Sequence, residues 1–393
     1  MNLRSKRLNL FSSAVFYELS NLTEKRKQDG LPVFPLGIGS PDLPPPLHSI
    51  DVLREALLDP SSFSYQRTEG LTDFRACISR FMAAQYGVQV DPECEVLPLI
   101  GAQDGLSHIT LALVDPGDIV LIPDPGYPIY EVAVHLAGAT PYFYPLRGEH
   151  DFLPDWSMIP STIAERAKLM ILNFPGNPTT AVGSRRVFEE AIHFARLHEI
   201  AIIHDAAYIE LQFDEHQTPS FLSVPGAKEL GIELHSLSKT FNFAGARVAF
   251  AVGQQDMLEA LRIVKSQVDY GIFMPIQKAA MATLDNDRGH HRSLRAMYQE
   301  RRDQFLAPLH AAGWDIRIPE GTMFVFAHTF GQDSRTFARR LLEETGVVSV
   351  PGVGFGPSGE GYVRFAMVTS KDELSDIASQ IAKKIDRLRN RQT

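Results

Sequence analysis

Seven short apolar runs, separated by segments with helical periodicity, constrain the fold of this chain more than any other feature. Most of the runs are too apolar for strands buried on one face only, so we expect them to be covered on both faces. Alternation of such strands with helices predicts an α/β fold with a mostly parallel seven-stranded sheet flanked by helices. The predicted strands are Val96–Gly101, Ile119–Pro123, Thr140–Tyr144, Lys168–Asn173, Ile200–His204, Ile232–Ser236 and Val248–Val252.

The last third of the chain has a different pattern, which predicts a second and smaller α+β domain. The predicted elements there are a connecting helix at Ser293–His310, strands at Thr322–Ala327, Val347–Val350 and Gly361–Met367, and helices at Thr336–Glu344 and Glu373–Arg387. The proline-rich stretch Pro41–Pro46 marks a break near the start. Because 393 residues are many for one compact domain, we predict a large domain at 48–290 and a small domain at 291–393. An N-terminal arm at 1–47 is predicted to pack with the small domain.

Composition excludes several classes of partner. The net charge is −9 and there is no long run of lysine or arginine, so we expect no nucleic-acid partner. No apolar run reaches the roughly 18 residues that a membrane span needs, and the stretch Met1–Phe16 lacks the features of a signal peptide. Two cysteines, Cys77 and Cys94, are too few for a disulfide framework, and no set of metal ligands is evident. We therefore predict a cytoplasmic protein with no membrane contact and no bound metal.

A lysine follows the sixth predicted strand in the segment Ser236-Leu237-Ser238-Lys239-Thr240, and Arg247 lies eight residues beyond it. A lysine at a strand end forms a Schiff base with an aldehyde when burial or nearby cations lower its pKa. The two serines and the arginine offer hydroxyl groups and a bidentate fork to a phosphate group. Taken alone, the segment is also compatible with a surface lysine on a serine-rich turn.

Two further segments leave strands at the same predicted edge of the sheet. Asp205 and Tyr208 follow the apolar run Ile200–Ile203, where a carboxylate is suited to pair with a protonated pyridine nitrogen. Taken alone, Asp205 is more typical of a helix N-cap. Asn177 lies in the loop Asn173–Thr179, from which its side chain can donate to a ring oxygen, although turn-forming residues alone would also explain that loop.

Two more strand ends supply an anion site and an aromatic ring. The segment Gly101–Gly105 joins a strand to a helical pattern, and free backbone amides at a helix start bind anions. Tyr127 lies in the segment Pro123–Pro128, where its ring would either stack on a flat cofactor or pack within the loop. Coincidence does not account for five such segments at the strand ends of one chain.

This ordered set of segments, together with Gly39, Tyr65 and Arg364, resembles the class I/II aminotransferases of the fold-type I pyridoxal-phosphate enzymes. The resemblance runs from about Leu36 to Arg364. It implies pyridoxal 5'-phosphate as the cofactor, with Lys239 as the Schiff-base and proton-shuttle residue. The cofactor-binding residues that it implies are Ala102, Gln103, Tyr127, Asn177, Asp205, Tyr208, Ser236, Ser238, Lys239, Arg247 and, from the neighbouring subunit of a homodimer, Tyr65. The substrate-binding residues that it implies are Gly39, Asn177 and Arg364, with Arg364 on the α-carboxylate.

The function that the resemblance implies is transfer of an amino group between an L-amino acid and a 2-oxo acid by a ping-pong mechanism. A pyridoxal-phosphate-dependent C–S β-lyase on the same fold stays open, because it would use the same lysine, aspartate, asparagine and arginine. A non-catalytic ligand-binding or regulatory protein is a remote alternative, because every chemical residue is present.

The choice of substrate is less constrained. No second arginine is placed by a motif to bind a distal carboxylate, so strict aspartate specificity is not supported. The general pattern resembles the subgroup of LL-diaminopimelate, alanine, methionine-cycle and aromatic aminotransferases, with glutamate or alanine as the implied amino donor. By the same resemblance, the aromatic stretches Phe11–Tyr17 and Met323–Phe326 line the substrate pocket, although packing is the simpler interpretation. Thr180 stands where the family usually has glycine, which puts only the local turn geometry in question.

Overall fold

The computed structural model describes residues 3, 5–11, 14–286 and 289–390, with the backbone alone at residues 9 and 14–19. All seven strands predicted for the large sheet are present, each within two residues of its predicted bounds. The strands of the chain are β1 (Phe34–Pro35), β2 (Val96–Leu99), β3 (Ile119–Asp124), β4 (Thr140–Pro145), β5 (Ala167–Asn173), β6 (Ala201–Asp205), β7 (Gly231–Ser236), β8 (Ala249–Gly253), β9 (Phe324–His328), β10 (Val347–Val348), β11 (Val350–Pro351) and β12 (Tyr362–Ala366).

The helices follow the strands in alternation through the large sheet. They are α1 (Ala14–Gln28), α2 (Leu47–Ala56), α3 (Thr72–Tyr86), α4 (Ala102–Leu113), α5 (Ile129–Ala137), α6 (Ser161–Ala164), α7 (Arg185–Leu197), α8 (Leu237–Thr240), α9 (Gln255–Val268), α10 (Met274–Asp285), α11 (His290–Ala311), α12 (Ser334–Thr345), α13 (Lys371–Ala382) and α14 (Ile385–Arg389). The connecting helix predicted at Ser293–His310 is confirmed as α11, which begins three residues earlier and ends one residue later.

The large sheet has its strands in the order β2-β8-β7-β6-β5-β3-β4. Strand β8 runs antiparallel to both neighbours, and the other pairs are parallel, which confirms the predicted mostly parallel sheet. Because β2 and β7 are both antiparallel to β8, β2 points the same way as the parallel strands. The loops after β2, β3, β5, β6 and β7 therefore leave the sheet at one edge, where ligands of such folds bind.

The alternating side chains of β5 show that both faces of the sheet are covered. Leu169 and Ile171 belong to one apolar cluster, which also contains Leu106 of α4 and Leu261 of α9. Met170 and Leu172 belong to a different cluster, which includes side chains of α3 and α7. Burial on both faces explains why these strands are continuous apolar runs without polar alternation.

The small domain is an antiparallel sheet of β11, β12 and β9 packed with helices α11 and α13. Two predicted elements of this region are each divided in the structure. The run predicted as one strand at Val347–Val350 forms β10 and β11, which pair with different partners on either side of the buried Ser349. The helix predicted at Glu373–Arg387 is broken at Lys383 and Lys384, which separate α13 from α14. At the end of α14, the side chains of Gln332 and Arg340 donate to main-chain carbonyl groups.

The N-terminal segment contacts the small domain. Strand β1 pairs in parallel with β10, and the Arg26 side chain donates to the carbonyl of Glu343 at 3.1 Å and to that of Pro32 at 2.9 Å. Leu36 is buried within the apolar cluster of the small domain. The boundaries 1–47, 48–290 and 291–393 stay predictions. Among the described residues, no helix has the length and apolarity that crossing a membrane requires.

Candidate active site

A cavity of about 760 Å³ lies at the sheet edge where the parallel strands end. Every predicted site residue except Tyr65 lines it. These residues are Gly39, Ala102, Gln103, Tyr127, Asn177, Asp205, Tyr208, Ser236, Ser238, Lys239, Arg247 and Arg364. The fold thus brings together residues from five strand ends of the large sheet, from β12 of the small domain and from the segment after β1.

Lys239 lies in the short helix α8, directly after β7. Its Nζ donates to the carbonyl oxygen of Gly39 at 2.6 Å. Burial, followed by the positive charges of Arg364 and Arg247, lowers the pKa of Lys239 to about 8. An amine with such a pKa is partly unprotonated near neutral pH, and the unprotonated form is the nucleophile that attacks an aldehyde.

Asp205 ends strand β6 and is buried. Its Oδ2 accepts a hydrogen bond of 2.8 Å from the Tyr130 hydroxyl, and its Oδ1 accepts one of 3.2 Å from the main-chain N–H of Ala207. Burial raises the pKa of Asp205, while the hydrogen bond from Tyr130 opposes that rise. A buried carboxylate oriented in this way is suited to pair with a cationic ring nitrogen.

A buried charged group lies near this aspartate, on β6 and the neighbouring β7. Glu233 accepts from His204 Nδ1 at 2.9 Å and from His235 Nε2 at 2.6 Å. The hydroxyl of Ser220 and the main-chain N–H of Phe221 also donate to Glu233. Burial alone would raise the pKa of Glu233, but the two histidines reverse that shift and hold it well below its ordinary value. Four donors therefore satisfy this buried carboxylate on β7.

Arg364 projects from β12 into the same cavity and is buried. Its guanidinium lies over the rings of Phe324 and Phe355, at 4.1 Å and 4.6 Å from their centroids. It donates to Asn177 Oδ1 at 2.7 Å and to the carbonyl of Gly37 at 2.8 Å. Among the described residues its Nε has no hydrogen-bond partner. Burial lowers its pKa to about 10, so the group stays cationic at neutral pH and can bind a carboxylate.

The loop that carries Asn177 is held by a second asparagine. Asn173 Oδ1 accepts from the main-chain N–H of Asn177 at 2.8 Å. Asn173 Nδ2 donates to the carbonyl of Asp205 at 2.8 Å and to that of Pro175 at 3.3 Å. Asn173 therefore fixes the loop after β5 to the end of β6, and so sets the position of two cavity side chains relative to each other.

Thr180, at the position where the sequence departs from the family pattern, adopts a left-handed backbone conformation with φ of 63°. It is buried, and its N–H donates to the carbonyl of Gly176 at 2.9 Å. A β-branched residue is strained in this region, whereas glycine is not. The departure thus affects the turn, and Thr180 does not line the cavity.

The start of α4 forms a cradle at one end of the cavity. Gly101, the residue before the helix, has φ of 94°, and a Cβ there would lie 2.5 Å from Nη2 of Arg247. The first amides of the helix, beginning at Ala102, the buried Ser236 and Ser238, and the guanidinium of Arg247 thus lie around the same space. Free amides of a helix N-terminus, hydroxyl groups and a guanidinium together suit a phosphate group.

Two tyrosines line the remaining wall. The Tyr127 hydroxyl donates to Gln103 Oε1 at 3.0 Å, and its ring lies edge-on to Tyr130 with centroids 6.1 Å apart. Tyr208 is buried against Phe324, with centroids 5.6 Å apart. Burial raises the pKa of Tyr208, so the phenol keeps its proton and is a hydrogen-bond donor at neutral pH.

Tyr65 lies outside the cavity of its own chain. Its side chain is 95% exposed, and its ring lies 5.9 Å from that of Tyr270, which is also exposed. Beside this pair, Phe63 and Phe273 form a second exposed ring pair at 5.7 Å. The structure of one chain therefore does not bring Tyr65 to the other predicted site residues.

Several cavity residues were not identified by motif. Tyr130 lies one turn after the predicted stacking tyrosine, but nothing in its local sequence indicates a contact with a strand end 75 positions away. Phe324 lies in the aromatic stretch Met323–Phe326, for which a place in the pocket was the alternative to packing, and it lines the cavity. For Phe11–Tyr17, residues 12 and 13 and the side chains of 14–19 lie outside what the structure describes, and Phe11 does not line the cavity.

A further polar group lies beneath the cradle. Lys265 is buried, and its Nζ lies 3.1 Å from Asp104 Oδ2 and 2.7 Å from Asp269 Oδ2. His108 Nδ1 lies 3.0 Å from Asp104 Oδ1. Although the two aspartates and the histidine are close enough to hold a metal ion, the lysine ammonium already pairs with both carboxylates. This group is best described as an ion-pair network that ties the first turn of α4 to the end of α9.

Comparison with known proteins agrees with this geometry. The family model "Aminotransferase class I and II" matches residues 32–381. An LL-diaminopimelate aminotransferase of Moorella thermoacetica is 41% identical over 378 residues, which cover 96% of this chain and 97% of that protein. The LL-diaminopimelate aminotransferase of Syntrophobacter fumaroxidans is 42% identical over 381 residues, which cover 97% of this chain and 98% of that protein. Substrate-bound BacF from Bacillus subtilis superposes with a TM-score of 0.93 at 38% identity, covering 98% of each chain.

The sheet, the cavity and these similarities define a pyridoxal-phosphate enzyme of fold type I. The chain belongs to the class I and II aminotransferase family. It is a pyridoxal-phosphate-dependent aminotransferase, with an amino acid and a 2-oxo acid as its small-molecule substrates. Neither the C–S β-lyase nor the non-catalytic binding protein is favoured by these similarities.

Proposed function

We propose that the cavity holds pyridoxal 5'-phosphate with Lys239 as its attachment site, and that Lys239 also moves the proton at the substrate Cα. The donors around the cavity fit this group. An anion cradle matches the phosphate, the buried Asp205 matches the pyridine nitrogen, and an amine with a lowered pKa matches the aldehyde.

The remaining roles follow from the same arrangement. Asn177 and Tyr208 would contact the phenolic oxygen, and Tyr127 would stack on the ring. The phosphate would be held by Ala102, Gln103, Ser236, Ser238 and Arg247. Gly39 and Arg364 would bind the substrate, with the guanidinium on its α-carboxylate.

When bound, the cofactor withdraws electrons from the substrate Cα and so makes its C–H bond acidic. Lys239 would take that proton and return it at the cofactor carbon, because an amine whose pKa is about 8 exchanges protons readily near neutral pH. Arg364 would fix the carboxylate and thereby orient the Cα–H bond towards the lysine. The same groups would act in reverse on a 2-oxo acid, which gives ping-pong kinetics.

The observation that carries this proposal is the single cavity that joins Lys239, Asp205 and Arg364. Borohydride reduction of the protein after incubation with pyridoxal phosphate should fix the cofactor on the Lys239 peptide, as detected by mass spectrometry. Lys239→Ala should abolish both the label and turnover, while the matched variant of an exposed lysine, Lys168→Ala, should keep both. Label on another lysine, or turnover by Lys239→Ala, would overturn the assignment.

As the amino-group substrate we propose LL-diaminopimelate, with glutamate or alanine on the other side of the exchange. The support is the name carried by relatives at 38–42% identity over at least 93% of this chain. A cavity of about 760 Å³ also has room for a long diamino dicarboxylic acid beside the cofactor.

The test is to add single amino acids to the cofactor-loaded protein and to follow loss of the visible band of the lysine-bound cofactor. LL-diaminopimelate should convert the protein faster than its meso isomer, aspartate or phenylalanine. Conversion by other amino acids without conversion by LL-diaminopimelate would reject this substrate and leave the aminotransferase activity intact.

We also propose a homodimer in which Tyr65 reaches the phosphate of the neighbouring site. The exposed rings of Phe63, Tyr65 and Tyr270, at 67%, 95% and 56% exposure, form an aromatic patch of the kind that marks interfaces. The two segments of the patch are held together tightly, since a Cβ at Gly271 would lie 2.2 Å from the carbonyl oxygen of Arg67.

Shared sites can be tested by mixing two inactive variants, Tyr65→Ala and Lys239→Ala. In a hybrid dimer with shared sites, one site carries both changes and the other carries neither. Random mixing in equal amounts makes about half of the dimers hybrids, so about a quarter of wild-type activity should return. If Tyr65 acted in its own subunit, or if the protein were monomeric, mixing would restore nothing.

A further inference from the structure

Within the part of helix α1 whose side chains the structure describes, 20–28, the residues that border the cavity are all polar. Ser20, Thr23, Glu24 and Lys27 all line it, and their spacing of three and four residues puts them on one stripe of the helix. A helix face that covers a core is normally apolar. The polar stripe, which we call the α1 face, therefore fits a helix that meets a polar ligand.

The charges in the cavity lead to the same conclusion. Its charged lining residues, within the part of the chain that the structure describes, are Glu24, Lys27, Asp205, Lys239, Arg247 and Arg364. The last four are accounted for by the cofactor and by the α-carboxylate of the substrate. One anion and one cation on the α1 face are left without a role in the transfer itself.

The two charges are close to each other. Lys27 Nζ lies 2.8 Å from Glu24 Oε1, and both side chains are more than half exposed, at 55% and 59%. An exposed pair of this kind contributes at most about 1 kcal/mol, so each partner exchanges readily for another ion. The ligand that matches such a pair carries an ammonium and a carboxylate close together at its far end.

We propose that Glu24 and Lys27 determine specificity by binding the distal ammonium and the distal carboxylate of the substrate. This inference rests on the proposed function, because LL-diaminopimelate has an α-amino acid group at each end. Arg364 binds the carboxylate at the reacting end, and the α1 face binds the group at the other. The mutual pair of Glu24 and Lys27 opens when the substrate offers each of them a new partner.

Two analogues of LL-diaminopimelate separate the contribution of Lys27 to binding from that of Glu24. Lysine equals diaminopimelate without the distal carboxylate, and 2-aminopimelate equals it without the distal amine. We expect Lys27→Met to lower the preference in kcat/KM for LL-diaminopimelate over L-lysine about tenfold, or about 1.4 kcal/mol. Glu24→Gln should lower the preference over L-2-aminopimelate by a similar factor, and each variant should leave turnover of L-alanine within twofold of wild type.

The matched controls are Lys25→Met and Asp29→Asn, which remove the same charges from exposed positions that do not line the cavity. They should change neither preference. A second readout that does not depend on turnover is calorimetric binding of the three ligands to cofactor-loaded protein that also carries Lys239→Ala. Affinities there should show the same two selective losses.

The outcomes distinguish this inference from the substrate proposal. If the wild type prefers LL-diaminopimelate and both variants keep that preference, the α1 face is not the distal site and the substrate stands. If the wild type turns over other amino acids but shows no preference for LL-diaminopimelate over either analogue, the substrate and the distal site both fail. Loss of all substrates equally in the variants would show a structural role for the helix and would also overturn the inference.

Discussion

Replacing Tyr130 by phenylalanine should weaken cofactor binding although the tyrosine is not among the residues that we propose to contact the cofactor. The change removes one hydroxyl, which is buried and donates to Asp205 Oδ2 at 2.8 Å. Since the phenylalanine ring fills the same space, packing should be retained. The carboxylate keeps its main-chain donor, the N–H of Ala207.

The magnitude follows from the hydrogen bond that is lost. A hydrogen bond to a charged group contributes about 1.5–3 kcal/mol, and this one favours the ionised form of Asp205 over the protonated form. If the loss falls wholly on the ion pair with the pyridine nitrogen, the dissociation constant of pyridoxal phosphate rises about 10- to 150-fold. Burial already raises the pKa of Asp205 and Tyr130 opposes the rise, so the loss should be larger in mildly acidic than in alkaline buffer.

The assay is titration of the apo-protein with pyridoxal phosphate, followed by fluorescence quenching over a range of pH. The control is Tyr144→Phe, because the Tyr144 hydroxyl is also buried and donates to the carbonyl of Ile171 at 2.6 Å, away from Asp205. That variant should lose stability and keep its cofactor affinity. Equal affinities of Tyr130→Phe and wild type at every pH would refute the assigned role of this hydroxyl.

Three further predictions concern Lys239, the buried Glu233 and the strained turn. The apo-protein should incorporate pyridoxal phosphate covalently at a rate that rises with pH and levels off above about 8, the pKa of Lys239, because only the neutral amine attacks the aldehyde. A rate that still rises well above that pH would contradict the lowered pKa of Lys239. Glu233→Ala leaves His204 and His235 without their buried partner and should cost about 3–5 kcal/mol in denaturant unfolding. Folding lowers the pKa of Glu233 despite its burial, so the stability lost in Glu233→Ala should be greatest above pH 4.5, the ordinary pKa of a glutamate. That loss should shrink as the pH falls below 4.5. A loss of stability that does not change with pH would argue against an ionised Glu233. Thr180→Gly relieves the left-handed strain at φ of 63° and should raise the free energy of unfolding by up to about 1 kcal/mol. A lowered unfolding midpoint would show that the strain is smaller than the cost of the more flexible glycine in the unfolded chain.

The sequence was sufficient for the large sheet and for most of the proposed cofactor site, because both are encoded locally. A strand buried on two faces is a continuous apolar run, which is visible without any knowledge of its neighbours. The chemistry-bearing residues follow such runs within a few positions, as Asp205 and Lys239 do. Because the strands are parallel, their carboxyl ends lie at one edge of the sheet, and the segments that carry the predicted site residues meet there.

Contacts between residues that are distant in the sequence were decided only by the tertiary structure. The hydroxyl of Tyr130 meets Asp205 across 75 positions, and the rings of Phe324 and Phe355 enclose Arg364 from two separate segments of the small domain. Periodicity states that such side chains are buried, but it does not state which side chains they meet. The division of the predicted strand at 347–350 has the same origin, since its halves pair with strands from opposite ends of the chain.

The contacts of the α1 face could not be predicted from the sequence. From the sequence, Glu24 and Lys27 are an ordinary pair of charges on a helix, and the helical period gives their common face but not what that face meets. Only the pairing of β1 with β10 and the packing of the N-terminal segment turn that face towards the cavity. The sequence by itself therefore determined the class of chemistry, because catalytic groups lie next to the strands that carry them. The tertiary structure decided which further side chains surround the substrate, because that depends on how separate elements are oriented against each other.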